Sequence, residues 1–420
     1  MVLPLHFHPK EQMLMSNTTR FIVGIDISKG KSTVSVIDPF GAIVKSPFEI
    51  RHTSSDLKKL TGLLKSLDGE TRIVMEYTGT YYQPVARFLS ESGLFVSVVH
   101  AKILHDFANN SIRRIKTDKA DAVKIANYGL LNWDSLKPFT KEDDTRLLLK
   151  ITNRQYYYTL KQYVAAKNNL IAVIDQTCPG LNDLFTSPRR EDGHIKWVDV
   201  ATRFWHCECI TDVSLNKFTE LYNDWCKKNR YVRSKSKAEE LYMLAKECVP
   251  ILPRNESTKF IVRQAAEELL TISEALGALQ KEMVRLAEQL PEYPVVMSFT
   301  GVGKILGPQL MAEIGDVRRF RKKACLVAFA GVDAPPFQSG KFDSKSRHIS
   351  KKGSCELRKT LFQIVTVLLQ NTLVYDPVYQ FIDRKRQEGK PYYVYMVAGC
   401  NKFLRIYYAR VKEYLEAQAA

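Results

Sequence analysis

The 420-residue sequence predicts an α/β domain followed by a largely helical remainder. Three observations carry that expectation. Short runs rich in β-branched residues, bounded by turn signals, are confined to about the first 140 residues. Beyond them apolar residues recur at spacings of three and four, the period of a helix. The length also exceeds what one core normally organises, so two or three domains are expected.

Residues 1–20 read as an N-terminal extension. From Phe21, the segments RFIVGIDISKG, STVSVID and, after the turn-like PFG, AIVKSPFEI predict three consecutive antiparallel strands. Leu57, Leu60, Leu64 and Leu67 then repeat on one helical face. TRIVMEYTG is a buried strand ending in the carboxylate of Glu76, YYQPVARFLSES a helix, LFVSVVHA a strand, and KTDKADAVKIA the start of another helix. Three hairpin-linked strands followed by alternating helices and strands are the order of an RNase H-like three-layer α/β domain, placed at 21–140.

From 141 to 290 the expectation is a coiled coil or helical hairpin. Leu149, Tyr156, Leu160, Tyr163, Leu170 and Ile174 lie near heptad positions, and Leu269, Ile272, Leu276, Leu279, Met283, Leu286 and Leu290 alternate threes and fours up to Pro291. This stripe is assigned to architecture and oligomerisation. Between the two helices, a helical insertion at about 186–255 carries Trp197, Trp205 and Trp225 and several cysteines, and nothing in its sequence declares a purpose. Residues 291–420 form a mainly helical C-terminal domain.

Composition narrows the function. With 62 Lys and Arg against 45 Asp and Glu the net charge is +17, a balance suited to a polyanion such as nucleic acid. No apolar run reaches the length of a membrane span, and the opening MVLPLHFHPKEQM lacks a signal peptide's order, so a cytoplasmic protein is expected. Cys178, Cys207, Cys209, Cys226, Cys248, Cys325, Cys355 and Cys400 have no paired CxxC spacing and are expected as reduced thiols. The cluster HCEC, His206 to Cys209, departs from the usual spacing of zinc ligands.

The chemistry centres on carboxylates. Asp118 and Asp121 are three apart at the start of a helix, so they share a face. An isolated DxxD is ordinarily a solvated surface. Here Asp26 ends the first strand and Glu76 the fourth, and the helix beyond the fifth can bring Asp118 and Asp121 to the same cleft. Four converging carboxylates repel one another unless cations intervene, and hard oxygen ligands in that number fit one or two Mg²⁺ ions. Lys116 and Lys119 flank them, as phosphate contacts or as solvated surface.

Further on, TGVGKILGPQL sets two glycines before a helix, as a phosphate-binding helix start or as an ordinary connection. Residues 301–360 hold thirteen Lys and Arg against five Asp and Glu. The runs RRFRKK and SKSRHISKK within them are candidate phosphate contacts or a solubilising face.

The sequence resembles the DEDD-type insertion-sequence transposases, a family that includes the pilin-gene invertases and whose characterised members are guided by a bridge RNA. GIDIS, VMEYTG and KTDKADA carry the resemblance in the N-terminal part. FTGVGKILGPQLMAEIGDVRRF, LVAFAGVDAPPFQSGKF and HISKKGSCELRK carry it in the C-terminal part. It covers most of the chain and departs in the insertion and in a glycine-poor stretch after Ser339.

The resemblance implies a RuvC-like domain whose Asp26, Glu76, Asp118 and Asp121 hold Mg²⁺, and a transposase domain whose serine becomes covalently linked to DNA. Among Ser339, Ser344, Ser346 and Ser350, Ser339 alone precedes a glycine, Gly340, in the family's SG pattern. Lys304, Arg318, Arg319 and Arg321, with Lys341, Arg347, Lys351, Lys352 and Arg358, are then the expected nucleic-acid contacts. The family also implies donor and target DNA and a bridge RNA as partners, and a site shared between protomers in a dimer that assembles to a tetramer.

Three rival readings stay open. A RuvC-like nuclease that uses water explains the carboxylates but not the C-terminal motifs, and it forms no protein–DNA adduct. An actin-like kinase explains GIDISKGKSTVSVID but needs a second glycine-rich phosphate loop, which the sequence lacks. A catalytically inert nucleic-acid-binding scaffold predicts that replacing Asp26 or Ser339 changes nothing in cells.

Overall fold

A computed structural model describes residues 19–77, 79–108, 117–141, 143–336, 338–339, 342–343, 348–371 and 374–419. Most of the extension expected at 1–20 therefore lies outside the described residues. The chain divides into two compact units, Met1–Glu142 and Asp143–Ala420.

The first unit is built on five strands: β1 (Arg20–Ile27), β2 (Lys31–Ile37), β3 (Ile43–Arg51), β4 (Glu70–Tyr77) and β5 (Phe95–His100). Their spatial order is β3-β2-β1-β4-β5. β2 is antiparallel to β1 and β3, while β4 runs parallel to β1 and to β5. Alternation along each strand divides the side chains between two faces. Val23, Ile25, Ile73 and Met75 point to the face covered by α1 (Ser54–Lys65) and α2 (Gln83–Glu91), where Leu57, Leu60 and Leu64 are buried. α1 starts where the Thr53 hydroxyl accepts from the Asp56 amide.

The opposite face packs against α3 (Ala101–Ala108) and α4 (Asp118–Leu131). Ile22 packs there with Ala126 and Trp133, and Val74 with Val99, Leu104 and Ile125. Helices on both sides of a mixed sheet make three layers.

Among its described residues, the second unit is helical apart from one short strand pair. Its longest helices are α5 (Asp144–Ile174) and α10 (Glu256–Glu288). They pair antiparallel: Leu149 and Tyr156 of α5 share a core with Leu276, Met283 and Leu286, and Leu170 and Ile174 share another with Val262 and Leu269. Much of the heptad stripe thus serves the architecture of the chain itself: Leu269, Leu276, Met283, Leu286 and Leu290 are all buried by their own chain.

Between these helices lie α6 (Lys196–Arg203), α7 (Glu208–Thr211), α8 (Leu215–Lys228) and α9 (Lys235–Glu247). Cys178, Leu181 and Phe185 ahead of them share the same core. The cysteines of this insertion are free thiols. His206 is fully buried, donates from Nε2 to the Leu252 carbonyl and accepts the Glu208 amide at Nδ1, so both ring nitrogens have partners.

After α10 come α11 (Tyr293–Met297), α12 (Leu306–Ile314), α13 (Lys323–Ala330), the pair β6 (Gln338–Ser339) and β7 (Phe342–Asp343), α14 (Cys355–Gln370), α15 (Pro377–Gln387) and α16 (Tyr392–Ala419). Leu310, Leu361 and Phe403 from this stretch share one core with α5 and α10. Among the described residues, no helix is long and apolar enough to cross a membrane.

Candidate active site

Two strand ends and one helix start define the site in the first unit. Asp26 and Glu76 follow Ile25 and Met75, which are in register on the parallel strands β1 and β4. Since side chains alternate, both carboxylates share the face of Ile22, Gly24 and Val74, the face covered by α4.

α4 lies unusually close to that face. A Cβ at Gly24 would stand 2.1 Å from the Ala122 carbonyl oxygen and 2.5 Å from the Ala126 nitrogen. From the helix side, a Cβ at Gly129 would stand 2.7 Å from a Val74 methyl. Two glycines therefore let the helix backbone approach the sheet, and its first turn, with Asp118 and Asp121, is held near the strand ends. The Thr117 hydroxyl caps that turn by accepting the Ala120 amide at 3.2 Å.

The charges feel one another. Burial, and then the charges of Asp118, Asp121 and Glu76, push the Asp26 carboxyl up from its ordinary value to about 6. Glu76 is also raised, first by burial and then by Asp121, against a lowering contribution from His100. Asp121 accepts from Lys124 Nζ at 2.8 Å. Asp118 adds to the field that raises Lys31, whose main partner is Glu49 at 2.7 Å.

The four predicted carboxylates are thus brought to one end of the sheet. Among the described residues, however, no three His, Cys, Asp or Glu side chains are gathered closely enough to grip one ion together. Sequence reasoning missed Lys31, Lys124 and His100. His100 had a readable signal, since it closes the apolar run of β5 just as Asp26 and Glu76 close theirs.

In the second unit, the backbone of Ser339 pairs with Phe342 in the β6–β7 ladder. Its side chain, with Gly340, Lys341, Ser344, Ser346 and Arg347, lies outside the described residues, as does Lys116. Ser350 donates to Asp333 Oδ1 at 2.5 Å.

The predicted basic contacts fall into two groups. Lys304, Arg321, Lys351 and Lys352 are exposed, as is Lys119 in the first unit. Arg318 is instead engaged with Asp316, 2.8 Å from Nη2 to Oδ2, and that ion pair takes up its charge locally. Arg319 donates to the Ile314 carbonyl and lies over the Phe320 and Phe329 rings. Arg358 donates to the Ala330 carbonyl. Arg318 and Arg319 are exposed as well, but each also has a local partner that holds the turn together. Within α12, Gly307 serves packing, since a Cβ there would meet the Met297 sulfur at 2.5 Å, while a Cβ at Gly303 before the helix would meet nothing within 4 Å.

A family model described as a transposase matches residues 23–179, and one described as a transposase of the IS116/IS110/IS902 family matches 293–379, together more than half of the chain. The chain is 22% identical over 341 residues to a pilin gene-inverting protein of Moraxella bovis, covering 81% of this chain and 80% of that protein. It is 31% identical over 134 residues to the transposase for insertion sequence element IS1111A of Coxiella burnetii, covering 32% of this chain and 36% of that one. Among solved structures it is similar to T. thermophilus RuvC in complex with a Holliday junction substrate, at 11% identity and a TM-score of 0.23, over 29% of this chain and 99% of that chain.

The family-model matches define a transposase, an enzyme class that cuts and rejoins DNA. The chain belongs to the IS110-type family of transposases.

Proposed function

We propose that this transposase recombines DNA through a serine-linked intermediate, using an RNase H-like, RuvC-like DEDD domain and guided by a bridge RNA. The observation that carries the reading is that Asp26 and Glu76 stand at adjacent strand ends on the face covered by α4, where burial first and then the charges of Asp118, Asp121 and Glu76 raise the Asp26 carboxyl to about 6. Strand order β3-β2-β1-β4-β5 with one antiparallel hairpin arm supports the RNase H-like assignment.

Asp26, Glu76, Asp118 and Asp121 are the residues that would hold the cation, which would draw them closer together than they stand here. Their hard oxygens suit Mg²⁺, and a cation there would lift the mutual repulsion that raises Asp26. When bound, Mg²⁺ would supply positive charge to the scissile phosphate and lower the cost of charge on the attacking and leaving oxygens.

The chain's own contribution is the nucleophile. The Ser339 hydroxyl oxygen forms a bond to phosphorus while the bond from phosphorus to one deoxyribose oxygen breaks. The serine proton leaves to a base or solvent, and the released sugar oxygen takes one up, so the number of phosphoester bonds is unchanged and no ATP is needed. Exposed Lys351 and Lys352 near the β6–β7 pair in sequence are suited to the phosphate backbone. A net charge of +17 fits a protein that holds an RNA–DNA duplex by its backbone and leaves sequence choice to base pairing. The reading includes donor and target DNA, a dimer that assembles to a tetramer, and a cytoplasmic site of action.

Strand cleavage of the element's junction DNA, measured with Mg²⁺ and the flanking-derived RNA, tests this reading. Asp118→Asn is expected to lose at least a hundredfold in rate. Cleavage that persists at the wild-type rate in this variant would remove the carboxylates from the chemistry.

A further inference from the structure

A cavity of about 940 Å³ in the second unit lies among α14, α15 and α16, and its wall is largely apolar. Its rim carries Lys351, Lys359, Lys402 and Arg405, with Arg358 also in the lining, and among the described residues no Asp or Glu lines it. A merely solubilising face mixes both signs. These four cations instead surround apolar surface and have neutral partners where partners are seen: Arg405 donates to Asn401 Oδ1 at 2.6 Å, and Lys359 lies 4.7 Å from the Tyr157 ring centre. Two aromatic side chains face the same space, half-buried Phe381 and the 73% exposed Tyr393. The Tyr393 ring meets Tyr392 edge-on with centres 5.2 Å apart, yet most of it stays open to solvent at the cavity mouth, as a stacking platform would.

We propose that this groove receives an unstacked nucleotide of a single-stranded DNA or RNA segment. The base lies against Tyr393 and Phe381, and the flanking phosphates meet Lys351, Lys359, Lys402 and Arg405. Duplex bases are already stacked and cannot offer their faces to an aromatic platform, whereas a single strand uses aromatic stacking and cations together. A volume of about 940 Å³ falls in the range of small-molecule sites, large enough for a nucleotide. The inference rests on the nucleic-acid reading above and adds to it a place for an unpaired residue.

The test uses the full chain with 2-aminopurine-labelled single-stranded DNA, single-stranded RNA and duplex DNA of one sequence, followed by anisotropy and base fluorescence. Tyr393→Ala is expected to weaken binding of the single strand roughly tenfold or more and to leave duplex binding unchanged. The double variant Lys402→Gln, Arg405→Gln is expected to flatten the salt dependence for single strands by about 1.4 in log–log slope, the share of two phosphates. Whichever of the DNA and RNA arms responds identifies the source of the strand. Tyr393 is exposed, so its variant is expected to keep the wild-type circular dichroism. If Tyr393→Ala stays within twofold of wild type for both single strands while junction DNA is still bound and cut, the groove assignment falls and the transposase reading stands. If the wild type binds none of the three probes, both fall.

Discussion

Gly24 on β1 and Ala122 on α4 stand so close that any side chain at Gly24 would begin 2.1 Å from the Ala122 carbonyl oxygen. This contact places the first turn of α4 over the ends of β1 and β4. Gly24→Ala must push the helix away, and overpacking against backbone costs about 2–3 kcal/mol or more. Urea denaturation is expected to show a stability loss of that size, with strand cleavage falling further because Asp121 moves away from Asp26. A variant with wild-type stability would mean that α4 has no fixed seat on the sheet.

Asp26 has its own signature. Its carboxyl titrates at about 6 in the folded chain against an ordinary 3.8. The folded state thus holds its proton more tightly than the unfolded state, so stability falls as pH rises from about 4 to 6, and the full cost remains above that window. In the absence of divalent cations, Asp26→Asn is expected to raise the melting temperature at pH 8 and leave it unchanged at pH 4. The shift corresponds to at most about 3 kcal/mol, reduced to roughly 1 kcal/mol because the group is partly solvated. A lower melting temperature at pH 8 would mean that Asp26 is held by favourable contacts and not by mutual repulsion.

Arg146 at the start of α5 and Glu292 before α11 form an ion pair whose side chains are 7% and 2% exposed. Nη2 donates to Oε2 at 2.8 Å. Glu292→Ala leaves a buried guanidinium uncompensated and is expected to cost about 3–5 kcal/mol. Arg146→Met combined with Glu292→Met is expected to recover most of that loss, measured as the denaturant midpoint. Equal midpoints for the single and double variants would show that the charge itself is not the problem.

Because both His206 nitrogens are hydrogen-bonded, the HCEC segment does not depend on zinc. Elemental analysis is expected to find far less than one zinc per chain, and a chelator to leave the melting temperature unchanged. Stoichiometric zinc with a chelator-sensitive transition would overturn this assignment.

What could be read from the sequence was what repeats locally. Apolar alternation ending in Asp26 and Glu76 gives both the strand and the face on which the carboxylate emerges. The three-residue spacing of Asp118 and Asp121 gives the matching helix turn. What could not be read depends on contacts between distant residues. The leucine stripe of α10 looks the same whether its partner is another chain or α5, and only the fold shows Leu276 and Met283 packed with Leu149 and Tyr156. RRFRKK reads as free charge until Arg318 is found on Asp316. The groove cations Lys359 and Lys402 are on different helices, more than forty positions apart, and no local pattern joins them.

The central claim is that serine forms the covalent link to DNA while the carboxylates support it. Its most direct measurement incubates the purified chain with Mg²⁺, its flanking-derived RNA and end-labelled junction DNA, then separates the products under denaturing conditions. The account predicts a slow-migrating protein–DNA band that is absent in Ser339→Ala and in Asp118→Asn, with peptide mapping placing the DNA on Ser339. Free nicked DNA without such a band, in equal amounts from wild type and Ser339→Ala, would contradict it and assign the attack to water.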